Sequence, residues 1–241
     1  MFKTKAIIAA GGLGTRLQGF RGNNSTKILL EVAGIPMINL QLNQLINWGL
    51  QEFIIITNPT YDQIIKEATL PYAEKYNIQY TIQDKQLGIT HALLQAKNYV
   101  ENDQNVLFVL GDNFFGKNPI ENLNFEDLTQ NDIGSIIFST EVNNPKDFGV
   151  VEVDENQKVL SIEEKPKNPK SNKAVVGLYF FDQSCFINAE QVRPSKRGEY
   201  EITDLIEIYI KNNNCLVKNL DSWWIDAGTP DRIIELESKL S

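Results

Sequence analysis

A glycine-rich segment after the first apolar run of the chain is its clearest candidate for binding a phosphate. Residues 6–10 form a continuous apolar run, as in a strand buried on both faces, and residues 11–16 (GGLGTR) follow it directly. Glycines let the backbone turn its N–H groups toward an anion, and an arginine supplies a permanently charged fork for phosphate oxygens. A tight strand-to-helix turn is the alternative interpretation. Because Leu17 stands at the third glycine position and no Gly-Lys-Ser/Thr follows, the segment is neither a dinucleotide fingerprint nor a Walker loop.

Two aspartates in separate segments are candidates for holding a divalent cation. Asp112 follows a predicted buried strand at residues 106–110, and Asp226 stands just before the last predicted helix. Such a pair suits Mg²⁺, which takes one or two carboxylates and completes its shell with water and phosphate oxygens. Taken singly, each aspartate is explained as a turn or capping residue, and Lys27 as a solvated loop lysine.

Basic residues in the second half of the chain are candidates for holding another phosphate. Lys165 ends a predicted strand before a proline, and the neighbouring Glu164 can accept hydrogen bonds from sugar hydroxyls. Arg197 could add another cation. The alternative for these residues is a charged strand end and an ordinary surface turn. His91 is expected on a helix near its ligand-facing end and is given no catalytic role.

The elements that must position these residues alternate between strand and helix. Apolar runs predict strands at residues 6–10, 53–56, 78–83 and 106–110, and from residue 133 further strands at 134–142, 150–153, 159–162 and 174–181. Helical spacing predicts helices over about 36–49, 64–72, 92–100, 201–211 and 229–240. The predicted fold class is α/β, a Rossmann-like, mostly parallel mixed sheet flanked by helices, which binds ligands at the carboxyl edge of its strands.

The composition excludes several classes of protein. The 241 residues carry 23 Lys and Arg against 31 Asp and Glu, a formal net charge of −8, which argues against a nucleic-acid partner. One histidine and two cysteines are too few for a zinc site, and His91 alone would have to serve any histidine-based hydrolase. Cys185 and Cys215 favour free thiols in a reducing compartment. No apolar run has the length of a membrane span, so a soluble cytoplasmic protein is expected.

Motifs along nearly the whole chain resemble the sugar-1-phosphate nucleotidyltransferases, and among them the short form of the glucose-1-phosphate thymidylyltransferases. They are residues 9–17 (AAGGLGTRL), 83–93 (QDKQLGITHAL), 110–114 (LGDNF), 144–151 (NPKDFGVV), 163–179 (EEKPKNPKSNKAVVGLY), 194–204 (PSKRGEYEITD) and 223–229 (WWIDAGT). The resemblance implies a fold of the nucleotide-diphospho-sugar transferase type in a single domain, residues 1–241. Its parts would be a nucleotide-binding half (about 1–112), a sugar-phosphate-binding half (about 113–228) and a C-terminal helix (229–241).

The resemblance also implies an activity and a role for each matching residue. The activity is Mg²⁺-dependent transfer of a nucleotidyl group from dTTP or UTP to a sugar 1-phosphate, glucose 1-phosphate being expected, which gives an NDP-sugar and pyrophosphate. The implied nucleotide-binding residues are Gly11, Gly12, Leu13, Gly14, Thr15, Arg16, Gln83, Gly88 and Asp112. The implied sugar-phosphate-binding residues are Asn113, Gly149, Glu164, Lys165, Val175, Tyr179 and Arg197. The implied catalytic residues are Arg16, Lys27, Asp112, Lys165 and Asp226, with Asp112 and Asp226 as the Mg²⁺ ligands.

Several alternatives stay open at the level of the sequence. A cytidylyl- or guanylyltransferase for another sugar phosphate, or a non-catalytic nucleotide-sugar sensor, would share these motifs. The expected partners are a nucleoside triphosphate and a sugar 1-phosphate, without nucleic acid or membrane, and a homo-oligomer is left open. Residues 19–26 depart from the family pattern. Longer family members carry extra C-terminal helices around a second nucleotide site, which this chain is expected to lack.

Overall fold

The computed structural model describes residues 3–17, 19–22, 26–123 and 132–240. Its strands are β1 (Lys3–Ala9), β2 (Glu31–Val32), β3 (Ile35–Pro36), β4 (Glu52–Thr57), β5 (Asn77–Ile82), β6 (Gln104–Leu110), β7 (Asn113–Phe115), β8 (Ser135–Glu141), β9 (Gly149–Val153), β10 (Val159–Glu164), β11 (Lys173–Phe181), β12 (Cys215–Asn219) and β13 (Trp224–Asp226). Its α-helices are α1 (Met37–Asn47), α2 (Asp62–Ala73), α3 (Ile89–Leu94), α4 (Cys185–Ala189), α5 (Ile202–Lys211) and α6 (Pro230–Leu240). Short 3₁₀ turns lie at Thr15–Leu17, Phe20–Gly22, Lys27–Leu29, Lys97–Tyr99 and Pro145–Asp147.

Parallel strands in the order β6–β1–β4–β5 form the first part of the sheet. Their apolar runs are buried on both faces, as predicted, and Ile8 and Ile54 are fully buried. At the carboxyl edge, Ala9 lies opposite Ile56 on one side and Leu110 on the other. The loops that follow β1, β4 and β6 therefore begin side by side, although they are distant in the sequence.

Strand β11 joins this parallel part to an antiparallel one. It runs antiparallel to β6, with Leu178 opposite Val109, and also pairs antiparallel with β8 and, at Ala174, with β9. The described strands give the order β10–β9–β11–β6–β1–β4–β5, with β8 joined to β11 and β12 running parallel to β8. The predicted Rossmann-like mixed sheet flanked by helices is confirmed.

A small two-stranded ribbon of β7 and β13 lies beside the carboxyl edge. These strands pair antiparallel, with Asp226 opposite Asn113, and the N–H of Ala227 donates to the carbonyl oxygen of Asp112 (2.8 Å). The ribbon thus places Asp226 next to the end of β6. Strands of three residues carry almost no periodic signal, and the sequence did not predict either of them.

Helices cover both faces of the sheet because its strands are apolar on both sides. Ile8 packs in one core with Ile233 of α6, while its neighbour Ile7 packs in the opposite core with Leu93 of α3 and Leu205 of α5. Successive residues of a strand point to opposite faces, so a continuous apolar run requires two such layers.

The helix predicted over residues 92–100 is wrong in its extent. The helix α3 ends at Leu94, because the N–H groups of Gln95 and Ala96 bond to carbonyl oxygens three residues back and tighten the chain into a 3₁₀ conformation. The last helix begins at Pro230 as predicted. Cys185 and Cys215 are free thiols. None of the helices in the described ranges combines the length and the apolar character that a membrane crossing needs.

Candidate active site

The glycine-rich loop after β1 is held by close contacts that require its glycines. Asn58 donates its side-chain amide to the carbonyl oxygen of Gly11 (2.8 Å), and a Cβ on Gly11 would stand 3.0 Å from the carbonyl oxygen of Thr57. Gly14 has φ +63°, and a Cβ there would lie 2.5 Å from the Cβ of Lys27. The loop therefore packs directly on the segment that carries Lys27.

Four charged side chains meet beneath this loop. The ammonium of Lys27 donates to the carboxylate of Asp112, and the charges of Asp226 and Arg16 act on the same group. Burial alone would raise the pKa of Asp112, but the ion pair with Lys27 outweighs it and holds that pKa below its ordinary value. Burial and the adjacent Asp112 carboxylate raise the pKa of Asp226 to about 6.

These residues line a cavity of about 190 Å³, which we call the glycine-loop cavity. Its lining residues are Gly14, Thr15, Arg16, Lys27, Asp112, Asp226 and Gly228. Two facing carboxylates fit a magnesium ion that shares its shell with a bound phosphate, and such an ion would relieve the repulsion that raises the pKa of Asp226. No cluster of three or more potential ligands from His, Cys, Asp and Glu exists in the described ranges.

A second cavity, of about 210 Å³, adjoins the first through Lys27 and Asp112, and we call it the Gln83 cavity. Its lining residues are Ala9, Ala10, Gly11, Gly12, Lys27, Ile28, Gln83, Gln86, Ile89, Ala92, Leu110 and Asp112. Gln83 is almost fully buried, and its Nε2 donates to the carbonyl oxygen of Gly88 (3.0 Å). Gly88 has φ +105° and packs on the backbone of Tyr200. Apolar side chains beside one buried amide suit a nucleobase.

The Glu164 cavity, of about 130 Å³, lies on the other side of Asp226. Its lining residues are Ile89, Leu110, Asn113, Asp147, Phe148, Gly149, Glu164, Lys165, Val175, Gly177, Tyr179, Ile202, Thr203, Trp224 and Asp226. The Asn113 side-chain oxygen accepts from Trp224 Nε1 (2.7 Å) and from the N–H of Gly177 (2.9 Å), which fixes the ribbon against β11. Burial, aided by Glu201, raises the pKa of Glu164.

Two basic residues flank Glu164. Lys165 has φ +43°, an uncommon conformation for a residue with a side chain, and its N–H donates to the carbonyl oxygen of Phe148 (3.0 Å). Arg197 Nη1 lies 3.4 Å from Glu164 Oε1, and its Nη2 lies 2.9 Å from Glu199 Oε2. Both cations thus approach the carboxylate that lines the cavity.

The structure brings most of the predicted residues to these adjoining cavities, and a few to their margin. Arg197 reaches the Glu164 cavity through its contact with Glu164, and Gly88 reaches the Gln83 cavity through Gln83. Leu13 is half exposed at the tip of the glycine loop. Of the divergent segment 19–26, residues 23–25 lie outside the described residues.

Comparisons with known proteins show the family to which the chain belongs. A family model described as nucleotidyl transferase matches residues 5–241. The chain belongs to the nucleotidyl transferase family. The chain is 38% identical over 238 residues to the glucose-1-phosphate thymidylyltransferase of Neisseria meningitidis serogroup A, which covers 97% of this chain and 81% of that protein. It is 36% identical over 236 residues to the enzyme of the same name from Mycolicibacterium smegmatis, covering 96% of this chain and 80% of that one.

Solved structures share the fold of this nucleotidyltransferase. A Bacillus anthracis protein provisionally assigned as a glucose-1-phosphate thymidylyltransferase, in complex with a sucrose, matches with a TM-score of 0.86 and 33% identity over 98% of this chain and 94% of that one. A UDP-glucose pyrophosphorylase complexed with UDP-glucose matches with a TM-score of 0.83 at 21% identity, over 99% of this chain and 98% of that one. The predicted family and the prediction of an enzyme are confirmed.

The nucleotidyltransferase site also contains residues that the sequence reasoning missed. Phe148 and Trp224 pack edge to face with ring centroids 5.5 Å apart and close one end of the Glu164 cavity. Thr203 carries a buried hydroxyl with no hydrogen-bond partner within the described ranges, and it lines the same cavity. The only available signal was position, because these residues lie within or beside motifs already singled out. His91, by contrast, was expected on a helix near its ligand-facing end, and it contacts Gln83.

Proposed function

We propose that this nucleotidyltransferase joins dTTP and glucose 1-phosphate in a Mg²⁺-dependent reaction and releases pyrophosphate. The observation that carries the proposal is the order of the cavities. Asp112 lines both the Gln83 cavity and the glycine-loop cavity, and Asp226 lines both the glycine-loop cavity and the Glu164 cavity. A base, a triphosphate and a sugar phosphate would therefore lie along one path, with the two carboxylates where the phosphates meet.

The side chains of the protein would neutralise and align the two substrates, and no general base is needed to deprotonate the attacking oxygen. A sugar phosphate has a second pKa of about 6, so its attacking oxygen is already mostly ionised at neutral pH. The obstacle is the approach of two anions, and Arg16 and Lys27 on one side and Lys165 on the other would neutralise and align them. Asp112 and Asp226 would hold the magnesium ion, which supplies further neutralisation of the phosphate oxygens when bound.

The Gln83 amide supports a base that carries an imide N–H. The carbonyl oxygen of Gly88 can only accept a hydrogen bond, so the amide nitrogen of Gln83, Nε2, must point toward it (3.0 Å). The amide oxygen of Gln83, Oε1, is then the atom that can accept a hydrogen bond from a ligand. No described residue donates to this Oε1. Thymine and uracil present an N–H donor at N3, whereas cytosine presents an acceptor there, so a pyrimidine of the first kind fits.

The names of the relatives favour thymine over uracil and glucose 1-phosphate over other sugars. The two relatives described above are both named glucose-1-phosphate thymidylyltransferase. Discrimination against UTP would rest on the base methyl group and on the 2′-hydroxyl of the ribose.

A pyrophosphate-release screen tests the proposal. The enzyme is assayed with each of dTTP, UTP, dCTP, CTP, GTP and ATP against glucose 1-phosphate, galactose 1-phosphate and glucosamine 1-phosphate, with Mg²⁺ or with EDTA. The highest kcat/KM is expected for dTTP with glucose 1-phosphate, and no turnover in EDTA. Preference for a cytidine or purine nucleotide would overturn the assignment of the base, and turnover in EDTA would overturn that of the metal.

A further inference from the structure

The single histidine of the chain lies directly behind the amide that faces the proposed nucleobase position. His91 is in α3, and its Nδ1 lies 3.0 Å from Nε2 of Gln83. Its own carbonyl oxygen accepts from Nε2 of Gln95 (2.8 Å), and the ring of Tyr200 stands 6.1 Å away, centroid to centroid. Nε2 of Gln95 also lies 3.5 Å from Nε2 of the imidazole.

The hydrogen bonds of Gln83 decide which form of the imidazole is present. Its Nε2 carries two hydrogens, one directed at the carbonyl oxygen of Gly88 and the other at Nδ1 of His91. Nδ1 must then be an acceptor, so His91 is neutral and carries its proton on Nε2. Nε2 of Gln95 lies farther away, 3.5 Å from Nε2 of His91, and donates instead to the His91 carbonyl oxygen (2.8 Å). Both hydrogens of the Gln83 amide are used on the protein side, and its oxygen is left for the cavity.

Protonation of His91 would reverse this arrangement. An imidazolium donates from both nitrogens, so Nδ1–H would face the N–H of Gln83 and repel it. The amide would satisfy Nδ1–H only by turning its Oε1 away from the cavity, which presents Nε2 to the base instead. An imide N–H of thymine or uracil would then meet a donor rather than an acceptor.

We propose that His91 is a positioning residue that fixes the orientation of the Gln83 amide and thereby makes the enzyme prefer bases with an imide N–H. The inference rests on the proposed function in one respect, the assignment of the Gln83 cavity to the base. The contact between His91 and Gln83 does not depend on that assignment.

The surroundings of His91 favour its neutral form at neutral pH. Burial lowers the pKa of His91 below its ordinary value, against the carboxylate of Asp84, which raises it. Asp84 in the loop before α3 and Tyr200 just before α5 are the titratable groups that face the ring within the described ranges. The preference for dTTP over dCTP should therefore hold at neutral pH and narrow as the pH decreases through the pKa of His91. Protonation of Asp226 or of the phosphates would affect both nucleotides alike.

A spectroscopic test needs no substrate. Because His91 is the only histidine, a tag-free enzyme labelled with ¹⁵N-histidine gives one imidazole in a long-range ¹H–¹⁵N spectrum. We expect the tautomer with the proton on Nε2 and an Nδ1 resonance that shows an accepted hydrogen bond. In Gln83→Leu, that resonance should move toward the position of a free, unprotonated nitrogen. The tautomer with the proton on Nδ1, or an unchanged resonance in Gln83→Leu, would overturn the proposal.

Two substitutions of His91 test its effect on base choice. Asn places its Oδ1 close to where Nδ1 stands and cannot titrate, whereas Leu offers no acceptor. In His91→Leu we expect kcat/KM for dTTP to fall about tenfold, as for one lost hydrogen bond, and the preference for dTTP over dCTP to narrow. The KM for glucose 1-phosphate should not change. His91→Asn should restore both values and keep the preference for dTTP over dCTP unchanged at acid pH.

The outcomes separate this proposal from the proposed function. If the substrate screen fails but the spectrum shows the expected tautomer and its response to Gln83→Leu, the contact stands and the assignment of the base is wrong. If the screen succeeds but His91→Leu keeps the wild-type preference for dTTP over dCTP and the wild-type kcat/KM for dTTP, the positioning role of His91 is wrong. Should His91→Leu not fold, the narrowing of the wild-type preference for dTTP over dCTP at acid pH, and its absence in His91→Asn, decide the same question.

Discussion

The glycine at position 14 meets two requirements at once, and they can be separated by experiment. Ala at this position would have to adopt φ +63° and would place its Cβ 2.5 Å from the Cβ of Lys27. We expect Gly14→Ala to displace Lys27 and to raise the KM for dTTP at least tenfold, because a phosphate contact by a charged group contributes about 1.5–3 kcal/mol. Steady-state kinetics with dTTP varied would show this.

Gly49 provides a matched control for that variant. It has φ +92° at the end of α1, and nothing lies within 4 Å of a Cβ built there. Gly49→Ala therefore carries the backbone strain, roughly 1–2 kcal/mol, without the collision. Gly49→Ala should lower the melting temperature and leave the KM for dTTP unchanged. An equal rise of the KM for dTTP in Gly14→Ala and Gly49→Ala would contradict the contact between Gly14 and Lys27.

Asp112 is where the cation and the triphosphate are expected to meet. Asp112→Asn removes one carboxylate of the pair and also the ion-pair partner of Lys27. Turnover is expected to fall by roughly a hundredfold or more, and titration with Mg²⁺ should not restore it. Asp221→Asn serves as the control, because Asp221 is exposed and pairs with Lys117 at the surface. Wild-type turnover of Asp112→Asn at low Mg²⁺ would show that the metal lies elsewhere.

Both Arg16 and Lys165 line a larger cavity of about 940 Å³, but each also lines a different smaller cavity, and their loss should affect different substrates. Arg16 lines the glycine-loop cavity with Asp112, and Lys165 lines the Glu164 cavity. Arg16→Ala is expected to raise the KM for dTTP, and Lys165→Ala the KM for glucose 1-phosphate, each about tenfold or more. Separate titration of each substrate measures both constants. Equal effects of both variants on both substrates would contradict this division.

Helix α6 offers a prediction about stability at the level of an element. Leu236 is fully buried against the core beneath the sheet, whereas Leu240 on the same helix is 44% exposed. Leu236→Ala should lower the free energy of unfolding by about 2–5 kcal/mol, and Leu240→Ala by no more than about 0.5 kcal/mol. Urea denaturation followed by circular dichroism measures both. Similar losses in the two variants would mean that α6 does not dock through Leu236.

The elements that the sequence predicted well are those with a long periodic signal. The buried strands β1, β4 and β6 were recognisable because short, continuous apolar runs are typical of strands buried on both faces, and α5 and α6 because their apolar residues recur at helical spacing. The ribbon of β7 and β13 was not recognisable, since its strands are three residues long and their pairing is set by tertiary contacts.

For the molecule as a whole, topology explains why the candidate site was predictable at all. The residues after strands of one parallel sheet must meet at its carboxyl edge, so Gly14 and Asp112 could be placed together from the sequence. The roles of particular side chains could not be derived in this way. The hydrogen bond between Gln83 and His91 depends on the angle at which α3 leaves Gly88, and no pattern in the sequence encodes that angle.

The late position of β13 has a consequence for the synthesis of the protein. A chain leaves the ribosome from its N-terminus, so the glycine loop, Lys27 and Asp112 emerge well before Asp226. An unfinished or prematurely terminated chain that ends before β13 carries Asp112 but lacks the second carboxylate, Asp226. Such chains are expected to leave the cellular pool of nucleoside triphosphates untouched, because the last described strand to be made carries one of the two proposed magnesium ligands.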